Sequence, residues 1–289
     1  MLADESAGRL TISNQKITVN SAGTISVDTA NLLAATTTGV ITASITTTET
    51  VDELNTLTGT GNAYTIVVAG GDATSSTAAQ LNTINDATTV AVDINNVTAL
   101  AASSLSDLGT LATAITNSEF NNASGLTTIA VSDTTIDATT LAARIDSYDT
   151  INVTSTTGMT LASGATINVD ASEVTEMLAD ETAGRLTISD QAITVNSAGT
   201  ISVDTANLLE ATTSGVITAS ITTTETVDEL QTLTGTGNAY TIVIAGGDAT
   251  GSTASEFTSI NGKTTVAIDA SAVTGLSLIH ISEPTRPLY

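Results

Sequence analysis

The sequence predicts a repeat solenoid over residues 1–275, in which parallel β-strands alternate with short helices or turns. Three observations support this fold class: the chain contains a long internal duplication, a short strand-like phrase recurs along both copies, and helix-capping signals lie between the phrases. Single units of such arrays cannot bury their apolar faces alone and must stack on their neighbours. The spacing leaves two forms open, a β/α solenoid and a parallel β-helix.

The duplication has an offset of 176 residues. MLADESAGRLTISNQKITVN at the start of the chain returns from residue 177 as MLADETAGRLTISDQAITVN, and only seven of the first 74 positions differ between the copies. We therefore divide the array into a unit of residues 1–176 and a partial second copy of residues 177–275. Because Met1 and Met177 occupy the same repeat position, we expect Met1 to be an internal methionine of a longer protein, so that a missing signal peptide says nothing about export.

The last residues, 276–289, read LSLIHISEPTRPLY and differ in composition from the rest of the chain. They contain the single histidine, His280, both prolines and one of the six basic residues. Residues 276–286 resemble the translated read-through of a sequencing adapter. We therefore expect a non-native tail and exclude His280 as a catalytic base.

The recurring phrase is Thr, then Ile or Val, any residue, Val or Ile, and usually Asp. Alternation of β-branched residues predicts a short strand with Ile and Val inward. In residues 166–170 we expect Ile167 and Val169 to be buried, and Thr166 and Asn168 to be exposed. Strand centres near 42, 67 and 91 are about 24 residues apart, which suits solenoid coils of about 20–29 residues. The phrase occurs at 24–28, 89–93, 128–132, 150–154, 166–170, 200–204 and 265–269, with variants at 64–68 and 240–244.

Capping boxes predict helices between the strands. In such a box a Thr hydroxyl and a Glu or Gln side chain three residues later bind the first free amides of a helix. The pairs Thr50 with Glu53, Thr77 with Gln80, and Thr253 with Glu256 fit, with Gly59 and Gly262 predicted as helix ends, and Asp170 with Glu173 is similar. The alternative fold is a series of bacterial immunoglobulin-like β-sandwiches, which prefers antiparallel strands, aromatic core residues and tight hairpin turns.

Composition restricts the partners. Thirty acidic residues against six basic ones give a formal charge of −24, which repels nucleic acid and anionic membranes, because phosphate contacts need Lys and Arg. We expect no nucleic-acid partner and no membrane insertion. The chain has no cysteine, which excludes disulfides and thiolate metal sites. Its 61 threonines and six aromatic residues suit thin, regular β-structure.

The aspartates that end the phrase are the candidate metal ligands: Asp28, Asp93, Asp170, Asp204 and Asp269. Stacked on consecutive coils, they would form a row of carboxylates suited to Ca²⁺, which takes six to eight oxygen ligands. The competing interpretation makes each aspartate the N-cap of a following helix, and we favour it because such caps are common. Calcium is the one cofactor that the sequence suggests.

Other motifs point to no chemistry. GGDAT at 70–74 and 246–250 resembles the Gly–Asp turns of calcium-binding RTX repeats without their nonapeptide tandem, and we interpret it as a turn. TGTGN at 58–62 lacks the residues of a phosphate-binding loop. With His280 set aside, no histidine is left to activate a Ser or Thr nucleophile. We therefore predict no catalytic residue and no enzyme.

The phrases TISVDTANLL, ELNTLTGTGNAYTIVVAGGD and QLNTINDATTVAVD resemble the Thr/Ala/Asp-rich arrays of giant secreted or cell-surface proteins of marine bacteria, picocyanobacteria included. The resemblance covers most of residues 1–275. It implies an extracellular, structural or adhesive stalk whose surface or polysaccharide ligand is bound by regions outside this sequence. The alternative function is a calcium-dependent binding module of an RTX-like adhesin.

Overall fold

A computed structural model describes residues 1–20, 23–68, 75–153, 155–245 and 251–274 of the chain. They form an α/β structure with four β-sheets and helices interleaved between the strands. Every pair of named strands among these residues is parallel. The immunoglobulin-like alternative, whose sandwiches are built from antiparallel sheets, is therefore wrong.

The described chain separates into two compact units. The first comprises Met1–Thr134, Thr140–Ala162 and Asp180–Thr187, and the second comprises Thr135–Thr139, Ser163–Ala179 and the described residues from Ile188 to Thr274. The predicted tail (276–289) and both GGDAT segments lie outside the described residues.

The first unit contains three sheets. In one, β3 (Ile41–Ile45) pairs with β1 (Ile17–Thr18), β2 (Thr24–Ile25) and β4 (Ala63–Thr65). A second has the order β12 (Leu186–Thr187), β10 (Gly158–Thr160), β8 (Thr128–Val131), β6 (Ala99–Ser103), and the third pairs β5 (Val92–Asp93) with β7 (Phe120–Asn121). Its helices are α1 (Leu2–Ser6), α2 (Val27–Thr36), α3 (Val51–Leu54), α4 (Ala78–Asp86), α5 (Leu105–Thr116), a 3-10 helix (Ala123–Gly125) and most of α6 (Ala138–Ile151).

The second unit contains one five-stranded sheet. Its order is β15 (Ala239–Thr241), β14 (Ile217–Ser220), β13 (Ala192–Val195), β11 (Thr166–Val169), β9 (Thr135–Asp137). Its helices are most of α7 (Val174–Thr182), α8 (Val203–Thr212), α9 (Val227–Gln231) and α10 (Ala254–Asn261).

Stacked β-branched residues form the core of this sheet. Ile167 pairs in register with Ile136 on one side and Ile193 on the other, and it is completely buried. Val169 is also buried and Asn168 is exposed, as predicted, whereas Thr166 is half-buried rather than exposed. The alternating pattern therefore places the apolar side chains of neighbouring strands on one another.

Four phrases do not form the predicted strands. In residues 24–28 the strand ends at Ile25, and Val27 already begins α2 with its side chain buried; in 200–204, Val203 begins α8 in the same way. The phrase at 265–269 contributes only an isolated bridge between Asp269 and Val243. The phrase at 150–154 begins with the last turn of α6. Leu141, Ile145 and Tyr148 are buried at helical spacing in this helix, and this longer periodic pattern overrides the local alternation.

The capping boxes are confirmed. Thr50 with Glu53, Thr77 with Gln80, and Thr253 with Glu256 each make both reciprocal bonds, at the starts of α3, α4 and α10. Gly262 ends α10 as predicted. Gly59 does not end a helix, because α3 already stops at Leu54; Gly59 occupies a loop with a φ of +82°.

Candidate functional site

Asp28 and Asp204 occupy the first turns of α2 and α8 rather than their N-caps. The N-caps are Ser26 and Ser202, whose Oγ atoms accept bonds from backbone amides three residues later at 3.2 and 3.1 Å. The N-cap interpretation of these two aspartates is therefore wrong by two positions. A carboxylate in the first turn still stabilises a helix through the helix dipole.

Asp93 and Asp269 occupy equivalent places in the two copies and stabilise turns. Their Oδ1 atoms accept the backbone N–H of Asn95 at 3.0 Å and of Ser271 at 2.9 Å, which is the Asx-turn arrangement. The Ser271 hydroxyl and N–H lower the pKa of the Asp269 carboxyl. Asp93 also accepts a bond from Asn122 Nδ2 at 3.0 Å. Neither aspartate caps one of the named helices.

Asp170 lies in a groove of about 450 Å³ on the second unit. Its Oδ1 accepts a bond from Asn196 Nδ2 at 2.9 Å, and its backbone N–H donates to Glu173 Oε2 at 3.3 Å. Because α7 begins at Val174, Asp170 is not its N-cap either. Asp137 and Glu173 also line this groove, whereas the other four candidate aspartates do not. Across the described ranges, no three His, Cys, Asp or Glu residues are grouped so that they could hold a metal ion.

A second groove, which the sequence did not predict, lies on the first unit and has a volume of about 530 Å³. Helix α4 contributes Asn82, Asn85 and Asp86 to it, and α6 contributes Arg144. Helix α5, from its first turn onward, and the residues after it complete the lining with Ser106, Gly109, Thr110, Thr113, Ala114, Asn117 and Glu119. We call this the Arg144 groove.

Arg144 differs from the other arginines that the structure describes. Arg9 is ion-paired with Asp4, and Arg185 with Asp149 and Asp180, whereas no described carboxylate pairs with Arg144. Its Nε atom is buried and has no hydrogen-bond partner among the described residues, as is also true of Arg185 Nε; what distinguishes Arg144 is the missing ion pair. In a chain with thirty acidic residues, an unpaired guanidinium in a groove is a candidate binding group.

Asn82 provides an acceptor in the same groove. Its Nδ2 donates to the Asp107 carbonyl at 3.1 Å, which fixes the orientation of the amide. Its Oδ1 is buried and accepts no hydrogen bond within the described part of the chain. Among the described residues, the Arg144 groove therefore has one buried donor and one buried acceptor without a hydrogen-bond partner.

Gly109 creates the space for the guanidinium. A Cβ atom at this position in α5 would lie 2.7 Å from Arg144 Cζ, which is closer than van der Waals contact permits. Glycine inside a helix costs about 1 kcal/mol relative to alanine. An interior helical glycine was the sequence signal that could have revealed this groove, since it often marks a close approach.

Arg185, by contrast, joins elements of the first unit. It pairs with Asp149 of α6 at 2.8 Å and with Asp180, which is nearly buried, while Asp146 lies 3.9 Å away. Hydrogen bonding to Asp149, with the charges of the three aspartates, raises the pKa of the Arg185 guanidinium. The charge of Arg185 is therefore neutralised by structural ion pairs, although its buried Nε has no hydrogen-bond partner among the described residues.

Polar side chains link segments about 25 residues apart in the same way in both copies. Asn31 Nδ2 donates to the Thr56 carbonyl at 3.0 Å and its Oδ1 accepts the Thr58 N–H at 2.8 Å. Asn207 makes the equivalent bonds to Thr232 and Thr234 at 3.1 and 2.7 Å. The bonds span 25 and 27 residues in each copy.

Two further links are shared by the copies. The buried Oδ1 of Asn62 accepts the Ile41 N–H at 2.9 Å, and Asn238 does the same for Ile217 at 2.8 Å. Likewise, Thr37 Oγ1 donates to the Gln15 carbonyl at 2.7 Å, and Thr213 to the Gln191 carbonyl at 2.6 Å. These side chains therefore make structural hydrogen bonds and are not candidates for ligand binding.

Comparisons of the chain with protein-family models, with curated proteins and with solved structures gave no match. Within the described ranges, no helix has both the length and the apolar character needed to cross a membrane.

Proposed function

We propose that the chain is a non-enzymatic structural or adhesive repeat region, a stalk or spacer within a large extracellular surface protein. The observation that carries this proposal is the reuse of one set of polar contacts in both copies. The links of Asn31, Asn62 and Thr37 return with the same geometry at Asn207, Asn238 and Thr213. Residues that the duplication preserves thus serve the stacking of coils.

The proposed architecture for this role is a parallel solenoid. The parallel register of β9, β11, β13 and β14, with isoleucine aligned on isoleucine, supports it. The extracellular setting rests on the resemblance of the repeat phrases to secreted arrays.

Small-angle X-ray scattering tests the stalk. A globular chain of 289 residues would have a radius of gyration of about 19 Å. We expect a clearly larger value for the monomer and a pair-distance distribution with a long tail, because stacked coils extend along one axis. A radius close to 19 Å would refute the stalk.

The alternative function, a calcium-dependent binding module, is favoured by one observation. Asp137, Asp170 and Glu173 line one groove of the second unit. Their bonding to neighbouring groups supports the structural interpretation instead, since Asp170 and Glu173 already accept hydrogen bonds from Asn196 and Thr139. The ion titration described in the Discussion separates the two functions.

A further inference from the structure

We propose that the Arg144 groove binds a neutral, polyhydroxylated saccharide. This inference goes beyond the stalk and does not rest on it. The groove volume of about 530 Å³ lies in the range of small-molecule sites, about 300–1,000 Å³.

The unpaired atoms indicate hydrogen-bonding ligand groups. Arg144 Nε is a buried donor and Asn82 Oδ1 a buried acceptor, and neither has a partner among the described residues. Because each atom has almost no exposed surface, the Arg144 and Asn82 side chains must turn toward the groove to meet a ligand. A ligand that pairs with them then removes the cost of an unpaired buried polar atom and so gains affinity. A hydroxyl group is both donor and acceptor, and adjacent sugar hydroxyls therefore suit both atoms.

The charges of the groove indicate a neutral ligand. Asp86 and Glu119 line it against the single guanidinium of Arg144, in a chain with a formal charge of −24. This environment repels anions. Asn85 and Asn117 donate to the two carboxylate oxygens of Glu119 at 2.7 and 3.4 Å, which holds this acceptor in place.

Hydroxyl and amide groups complete the lining. Ser106, Thr110 and Thr113 of α5 face the groove. The Thr110 and Thr113 hydroxyls donate to the Ser106 and Gly109 carbonyls at 3.3 and 2.8 Å, which leaves their oxygen lone pairs as acceptors for sugar hydroxyls.

The test uses the full chain labelled with ¹⁵N and three neutral probes: cellohexaose, maltohexaose and mannohexaose. The Nε–H signal of Arg144, assigned by its loss in Arg144→Lys, reports directly on the proposed donor. We expect at least one probe to shift this signal and the Asn82 side-chain signals in a saturable manner. Arg144→Gln should weaken that binding about tenfold or more, because a bond to a charged donor is lost.

Two variants control the result. Arg9→Gln removes the same charge from an exposed ion pair of the same unit and should bind like the parent. Gly109→Ala should retain or raise the melting temperature, because alanine favours the helix and the flexible guanidinium can move away. Its saccharide affinity should nevertheless fall, because Arg144 is displaced. This variant separates loss of the site from loss of folding.

Three results would overturn the proposal: no saturable shift with any of the three probes, unchanged affinity in Arg144→Gln, or tighter binding of an anionic oligogalacturonide than of every neutral probe. The last result would show that the groove prefers a ligand that carries carboxylate groups. None of them bears on the radius of gyration, so the stalk and the saccharide site can fail independently.

Discussion

At the scale of single residues, three buried tyrosines differ in whether the hydroxyl has a hydrogen-bond partner. Tyr64, Tyr148 and Tyr240 are completely buried, and burial raises the pKa of each phenol. Tyr148 donates its hydroxyl to the Leu108 carbonyl at 3.0 Å. The hydroxyls of Tyr64 and Tyr240, at equivalent repeat positions, have no partner among the described residues. The buried tyrosine hydroxyl therefore has a hydrogen-bond partner at Tyr148 but none among the described residues at Tyr64 and Tyr240.

Phenylalanine substitutions should separate these cases. We expect Tyr148→Phe to lower the free energy of unfolding by about 1 kcal/mol, since it removes a hydrogen bond and leaves a buried carbonyl with one partner fewer. Tyr64→Phe, in the same unit, should be neutral or stabilising, because it removes an unpaired buried hydroxyl. Urea unfolding followed by circular dichroism measures both. Equal losses in the two variants would contradict this assignment.

At the scale of elements, the capping boxes of α3 and α9 recur as equivalent pairs. The backbone N–H of Thr50 and its hydroxyl bind the Glu53 carboxylate and lower the pKa of this group; Thr226 does the same for Glu229. A carboxyl whose pKa is lowered by folding stabilises the protein above its ordinary pKa of 4.5 and loses that contribution as the pH falls through its folded pKa.

Glutamine should remove this pH dependence, because Gln80 of α4 already forms an uncharged capping box. We expect Glu229→Gln to lose less stability than the parent between pH 4.5 and 3, while differing little from it at pH 7. Melting temperatures measured across this range test the prediction. Asp228→Asn removes the same charge from the same helical turn without touching the box, and it should follow the parent curve.

The sequence predicted those elements whose signals are local. The capping boxes, β8 and β11 depend on neighbouring residues, and all are found. The phrase at 150–154 was misassigned because burial of Tyr148 along α6 outweighs two alternating residues. The Arg144 groove escaped prediction because α4, α5 and α6 form it from positions up to 62 residues apart, Asn82 to Arg144.

At the scale of the molecule, buried asparagines connect segments that are distant in sequence to neighbouring strands. Asn62→Ala would leave the buried Ile41 N–H without an acceptor, which costs about 1–3 kcal/mol. Asn238→Ala should cost at least as much, because Asn238 also donates to Glu210 at 2.5 Å, where the first copy has Ala34. Because the two sites lie in different units, the double variant should lose the sum. Denaturant unfolding monitors all three variants.

Titration with ions tests whether the carboxylates of the chain form specific Ca²⁺ sites or only an acidic surface. If the carboxylates serve only as turn and helix contacts, Ca²⁺ and Mg²⁺ should raise the melting temperature similarly and modestly, and NaCl should reproduce much of the gain by screening 24 net negative charges. Specific sites would instead give a saturable Ca²⁺ shift at constant ionic strength, unmatched by Mg²⁺. Loss of such a shift in Asp93→Asn, Asp170→Asn or Asp269→Asn would establish the calcium-dependent module.

The identical pairing of equivalent strands also has a genetic consequence. Ile17 aligns with Ile41 in the first copy as Ile193 aligns with Ile217 in the second, and Thr42 meets Ala63 as Thr218 meets Ala239. A gene that gains or loses one copy by unequal recombination would therefore encode a chain in which these pairs are all retained. Alleles of this gene should then differ in length by steps of 176 codons.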